Sequence, residues 1–246
     1  MTILRAPDDD SDIEYVFREW VHCLNLDHAF AWSIWLTFSS ICAIHGLDGN
    51  AVDTFTSESR LWLRDLLPTV SPFESARIMS FGYNSRPFEG EAMDHIQDWA
   101  DYLLSAVGNA REDSVASSRP IIFICHSMGG LVGRKAMERL FFYPSDYSGI
   151  SLSNCALLFL STPHLGTIEA NYGEFLTGVL NSLFGLRNDA ILKELQSFNS
   201  SAVEATKAWS TMRKDTKMPP FECLCESRQT RLPIKGYREV WPFLVS

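Results

Sequence analysis

Hydrophobic positions fall into short continuous runs separated by longer stretches with helical spacing. Ile41-Cys-Ala-Ile44, Ile121-Ile-Phe-Ile124 and Cys155-Ala-Leu-Leu-Phe-Leu160 are apolar at every position, and Ala76 to Gly82 and Phe221 to Cys225 are also of strand length. Unbroken apolar runs of this size predict strands buried on both faces of a parallel sheet, because a half-exposed strand would alternate. Between them, Leu131 to Leu140 is amphipathic, and Ser59 to Leu67 predicts a helix stopped by Pro68. Glu91 to Val107 puts Met93, Ile96, Ala100, Leu103 and Val107 on one helical face. Glu91, Asp94, Asp98 and Asp101 fall elsewhere and predict a solvated face, with His95 as a surface or packing residue. Glu169 to Arg213 is mostly helical in pattern, and Pro219-Pro220 ends it before the Phe221 strand. Strand and helix alternating in this way predict βαβ units: an α/β fold with a mostly parallel sheet, helices on both faces, and ligands at the carboxyl ends of the strands.

One junction stands out chemically. The strand Ile121–Ile124 runs into Cys125-His126-Ser127, read as a sharp turn, and Gly129-Gly130 then open the next helix. A serine lifted clear at a strand-to-helix corner, followed by very small residues that let strand and helix pack closely, is the construction of a nucleophile elbow. Cys125 stands where glycine is usual and is still small. His45-Gly46-Leu47-Asp48-Gly49 follows another strand directly. A His-Gly pair in that position carries a backbone N–H toward a developing oxyanion, so Leu47 and Met128 are the expected donors by backbone. His45, Gly46, His126 and Gly129 complete the expected elbow and pocket.

A serine hydroxyl needs a base to take its proton and a carboxylate to hold that base. Glu226, at the end of the Phe221 strand, is in the acid's place; Asp189 and Asp215 are less well placed. Downstream of Ser127 the sequence holds a single histidine, His164, which is either the base or a structural turn residue. The catalytic candidates are therefore Ser127, Glu226 and His164.

Composition narrows the partners. At 246 residues, 46% hydrophobic and 21% charged, the chain is long enough for one α/β domain with a large core. A net charge of -9 gives nucleic acid nothing to bind, and any membrane contact would be apolar. The six cysteines are scattered, three of them (Cys42, Cys125, Cys155) in predicted strands, which is free-thiol usage in a reducing compartment. Cys223-Leu-Cys225 lacks metal-ligand spacing, so neither a metal nor another cofactor is expected. Met1 to Asp10 has no secretory pattern. Ala29 to Ile44 is uncharged and aromatic but shorter than the roughly 20 residues of a spanning helix. A membrane anchor and a core or surface helix feeding a strand both remain open for it.

Taken together, His45-Gly-Leu-x-Gly49, Trp62-Leu-Arg-Asp-Leu-Leu-Pro68, Arg77-Ile-Met-x-Phe-Gly-Tyr83, Pro120 to Leu131 and Thr162-Pro-His164 resemble the serine esterase family called domain of unknown function 676. Within it they are most similar to the lipase-like subgroup of serine-active-site-containing proteins. The resemblance is close from Ile41 to Gly166, looser from Phe221 to Val240 and absent before Ile41. It implies an α/β-hydrolase fold, a Ser-acid-His triad and acyl ester or lipid substrates. It also implies a mitochondrial or endoplasmic reticulum membrane tie, against the cytoplasmic, intracellular place that composition suggests. The organisation expected is an atypical segment over 1–40 and a hydrolase domain over 41–246, with a helical insertion at about 168–215 that either forms a lid or packs back on the sheet. In the family, His164 belongs to a turn beside the pocket, and the catalytic histidine follows one more strand beyond the point matched by Val240. On that pattern the chain is expected to lack the last strand and helix. Three readings follow: an active hydrolase with an unusual base, a truncated and impaired form, or a non-enzymatic acyl-binding or signalling module. The oligomeric state stays open.

Overall fold

The computed structural model describes residues 3–4, 38–46, 49–57, 59–85, 96–113, 117–162, 207–214 and 218–226. Its strands are β1 (Ile3–Leu4), β2 (Ser40–Ile44), β3 (Thr56–Ser57), β4 (Arg60–Leu61), β5 (Arg77–Phe81), β6 (Ile121–His126), β7 (Cys155–Leu160) and β8 (Phe221–Glu226). Six of them form one sheet in the order β1-β8-β7-β6-β2-β5, parallel throughout, and β3 and β4 make a separate antiparallel pair.

The apolar runs become strands because each has two faces to bury. Cys42, Ile44, Ile121, Phe123, Cys125, Cys155, Leu157 and Phe159 enter one core. The alternate residues Ile41, Ala43, Ile122, Ile124, Ala156, Leu158 and Leu224 enter the other. The first core is closed by α2 (Ile96–Asn109) and α3 (Gly129–Phe142), through Trp99, Ala100, Leu103, Leu104 and Val107 from one and Leu131, Val132, Ala136, Met137 and Leu140 from the other. The second is closed by Phe55, Leu63 of α1 (Trp62–Asp65), Leu67, Val70 and Phe73. A parallel sheet with helices on both faces and this strand order is the α/β-hydrolase fold expected from the sequence.

Several boundaries differ from the expectation, each for a local reason. Cys125 and His126 belong to β6, which pairs with β7 as far as His126–Leu160, so the turn is confined to Ser127 and Met128. The helix expected over Ser59 to Leu67 shrinks to α1, because Ser59 (φ 69) makes the turn between β3 and β4 and a separate 3-10 turn, Leu67–Thr69, forms around Pro68. Asp98 is exposed as expected, but Asp101 is not simply solvated. Arg139 Nε of α3 donates to its carboxylate at 2.7 Å, and the Tyr147 hydroxyl donates to the same oxygen, tying α2 to α3. Glu91, Met93, Asp94 and His95 lie outside the described residues.

Most of the expected insertion, 163–206, also lies outside them. The helix 207–214 at its end packs on the sheet: Met212 is fully buried, and Trp209 meets Phe159 and Phe221 at 6.2 and 5.8 Å between ring centroids. Of the two alternatives for the insertion, this part packs back on the sheet. Residues 5–37 and 227–246 are outside the described set as well. Among the described residues no helix is long and apolar enough to cross a membrane.

The connectivity locates a site before any side chain is considered. From β2 the chain moves to β5 on one side and then crosses to β6 on the other. The reversal leaves a crevice at the carboxyl ends of β2 and β6, the place where open α/β sheets take their ligands. His45-Gly46 and Ser127 are the residues that leave those two ends.

Candidate active site

Ser127 turns the corner between β6 and α3 with φ 51, a left-handed backbone that costs a non-glycine residue about 1–3 kcal/mol. Two hydrogen bonds hold it there: its N–H donates to the Leu160 carbonyl at 2.9 Å, and its own carbonyl accepts from Gly130 N–H at 3.0 Å. Leu131 N–H donates to the Met128 carbonyl at 2.9 Å. The Met128 N–H precedes these first intrahelical bonds, at the positive end of a 14-residue helix, where an anion is favoured.

The corner is possible only because side chains are missing around it. A Cβ on Gly129 would lie 2.4 Å from the His45 carbonyl oxygen and 2.6 Å from that of Ile44. One on Gly130 would lie 2.1 Å from Thr162 Oγ1, and one on Gly133 would lie 2.7 Å from Cys125 Sγ. The last distance explains how cysteine replaces the usual glycine at 125: its sulfur occupies space that Gly133 vacates. Burial pushes the Cys125 thiol well above its ordinary value, so it is a packing group and not a second nucleophile.

From β2, Gly46 comes up against the serine. A Cβ there would sit 2.8 Å from Ser127 Cβ and 3.3 Å from its Oγ, so the loop backbone faces the hydroxyl directly. His45 is fully buried with both ring nitrogens engaged: Nε2 accepts from Tyr83 N–H at 3.3 Å, and Nδ1, which must then carry the hydrogen, donates to the Gly46 carbonyl at 2.9 Å. Burial lowers its pKa, opposed by the bond to the Gly46 carbonyl. His45 is therefore a neutral loop residue with no nitrogen left for a base's task.

β7 repeats the geometry next door. Ser161 has φ 49, and its N–H donates to the Leu224 carbonyl at 2.8 Å. Thr162 follows, buried, its methyl and hydroxyl filling the space above Gly130 and its Oγ1 3.4 Å from the Cys125 carbonyl.

The structure thus brings together Ser127, Met128, Gly129, His45 and Gly46, with His126 closing β6 beside Leu160. Leu47 and His164 lie outside the described residues. Glu226 ends β8 on the same sheet edge, with its side chain outside them. Among the described residues no cluster could hold a metal ion. Gly133 is unmarked in the sequence, and Tyr83 and Thr162 enter there only as parts of the motifs that carry the family resemblance, with no role of their own. Their place two residues beyond the end of a strand, on the edge where ligands bind, is the signal that could have given them one.

The family described as Putative serine esterase (DUF676) matches residues 41–191. Among curated proteins, Protein SERAC1 of Danio rerio is 27% identical over 165 residues, 54% of this chain and 23% of that protein, so the chain spans less than a quarter of that relative's length. Among solved structures, a lipase-esterase related protein from Clostridium acetobutylicum ATCC 824 aligns with a TM-score of 0.35 at 14% identity, covering 75% of this chain and 73% of that one.

Proposed function

The chain belongs to the Putative serine esterase family (DUF676), and from that membership we propose that it hydrolyses acyl esters or lipids with Ser127 as nucleophile. The observation that carries this reading is the Ser127 corner itself, left-handed at φ 51 and faced by Gly46, whose added Cβ would lie 3.3 Å from Oγ. A hydroxyl carried on strained backbone at a strand-to-helix corner, against a side-chain-free loop, is the arrangement a serine nucleophile needs.

In the proposed reaction the Ser127 oxygen attacks the acyl carbonyl while a base takes its proton. The tetrahedral oxyanion is held by the Met128 N–H and, we propose, by the N–H of Leu47. Collapse breaks the ester bond, the base returns its proton to the departing alcohol, and water repeats the sequence on the acyl-enzyme. We assign Glu226, the last residue of β8, as acid; His164, which follows β7 in the chain, is the base candidate, its alternative being a structural turn residue beside the pocket. Residues 41–246 form the hydrolase domain in this reading, cytoplasmic by charge and composition, or tied to a mitochondrial or endoplasmic reticulum membrane as the family likeness suggests. Hydrolysis of p-nitrophenyl butyrate by the full chain tests the proposal: activity that disappears in Ser127→Ala supports it, and activity unchanged in His164→Ala removes His164 as base. Acyl binding without turnover in either chain would point to a binding module instead.

A further inference from the structure

We propose that Tyr83 is a positioning residue for the loop that faces Ser127, gripping His45 at its ring and at its carbonyl and so fixing the peptide planes on both sides of Gly46. The inference rests on the serine hydrolase reading for its catalytic consequence, though not for its geometry.

Gly46 must lack a side chain, because a Cβ would meet Ser127 Cβ at 2.8 Å. The same lack leaves its backbone free to rotate, and a donor that rotates cannot stabilise charge at the moment it develops. The loop therefore needs anchors from outside, and Tyr83 supplies them. Its hydroxyl donates to the His45 carbonyl at 2.9 Å, which fixes the plane of the peptide before Gly46. Its backbone N–H donates to His45 Nε2 at 3.3 Å, which selects the Nδ1–H tautomer. That Nδ1–H donates to the Gly46 carbonyl at 2.9 Å, joined there by Gly49 N–H at 3.2 Å, and these two bonds fix the plane of the peptide after Gly46.

The two rings stack at 4.3 Å and 14°, so the imidazole cannot swing away without losing the contact. Tyr83 is itself wedged against Trp99 of α2 at 4.9 Å and Phe81 at 5.6 Å. Orientation thus passes from the helix layer through Tyr83 and His45 to the loop, with no atom of Tyr83 required at the substrate.

Tyr83→Phe keeps the ring stack and the backbone N–H and deletes one hydrogen bond. On p-nitrophenyl butyrate we expect kcat to fall about 10-fold with KM within twofold, less than the ~100-fold or more of deleting an oxyanion donor outright. Fluorophosphonate labelling of Ser127 should slow by the same factor, and the Gly46 amide resonance should shift. Tyr83→Ala keeps the backbone N–H but removes the stack that holds the ring against it, so the imidazole should turn away and lose its single Nδ1–H tautomer, read from its ring nitrogen shifts. A Tyr83→Phe protein that is merely less stable, with wild-type kcat per folded molecule, overturns the positioning role. If the wild type neither hydrolyses nor labels, the hydrolase reading fails separately, and the nitrogen shifts decide the clamp: an unchanged tautomer and Gly46 amide in both variants refute it, and altered ones uphold it.

Discussion

At the amino ends of β2 and β6 one large charged side chain does the holding, whereas at their carboxyl ends the work is done by side chains that are not there. Arg111, 1% exposed, donates to Ser40 Oγ at 2.8 Å, to the Ser117 carbonyl at 3.0 Å and to the Arg119 carbonyl. It collects the loose acceptors at the start of the strands and fills the space between them. At the other end Gly46, Gly129 and Gly130 let backbone approach backbone, and Ser127 and Ser161 keep left-handed conformations that a relaxed chain would avoid. A filled edge can contribute only stability. A thinned edge gives up packing for a hydroxyl faced by backbone, and its strain is tolerated because the sheet over-determines it.

The comparison is tested most severely by putting matter where it is missing. Gly129→Ala sets a methyl against two backbone carbonyls that cannot yield, and should cost about 3 kcal/mol or more in urea denaturation. Gly82→Ala, whose nearest neighbour would be Ala51 Cβ at 3.4 Å, should change stability by less than about 1 kcal/mol and serves as the control. Equal effects from the two would erase the distinction between the corner and an ordinary glycine. At the filled edge, Arg111→Met leaves the Ser40 hydroxyl and two carbonyls without their donor and should cost about 2–3 kcal/mol. The rate of Ser127 labelling in the folded fraction should not change; a slowed rate would mean that the two edges are coupled.

A smaller effect sharpens the account of the elbow. Gly133→Ala should destabilise by about 1–2 kcal/mol against Cys125, since its Cβ would lie 2.7 Å from the sulfur. In a Cys125→Gly background most of that cost should vanish, giving a coupling of about 1 kcal/mol in a double-mutant cycle. Strict additivity would show that the two positions do not share that space.

The smallest expected effect is set by pH. The folded-state pKa of His45 is held below its ordinary 6.5, mainly by burial. Unfolded chains therefore take up a proton at His45 before folded ones do. Its contribution to stability is complete above about 6.5 and declines as pH falls from there toward the folded-state value. The urea midpoint should fall more between pH 7.5 and 5.5 in the wild type than in His45→Gln; an equal fall would place the acid sensitivity elsewhere.

The thinned edge was largely legible in the sequence and the filled edge was not. Continuous apolar runs announced the strands, Cys155 to Leu160 to the residue, because burial on both faces leaves no polar position to blur the ends. The Ser127 corner and the His-Gly loop announced themselves through glycine, whose presence next to a strand needs a reason. The end of β6 was placed two residues early, since a cysteine and a histidine read as a turn until the pairing with β7 shows otherwise. Arg111 gave no signal: its acceptors are backbone carbonyls a few residues on and a hydroxyl 71 positions back, and neither leaves a pattern. Asp101 read as solvated because its partner, Arg139, is 38 residues away on another helix. The Tyr83 grip on His45 also spans 38 positions and exists only once β5 lies beside β2.

The central claim is that Ser127 is the reactive residue at the β2–β6 crevice. Full-length chain treated with a fluorophosphonate, digested and mapped by mass spectrometry tests it most directly. One phosphonyl adduct on the peptide containing Ser127, absent after heat denaturation, is the result predicted. An unmodified Ser127 peptide, or an adduct on another serine such as Ser161, would contradict it.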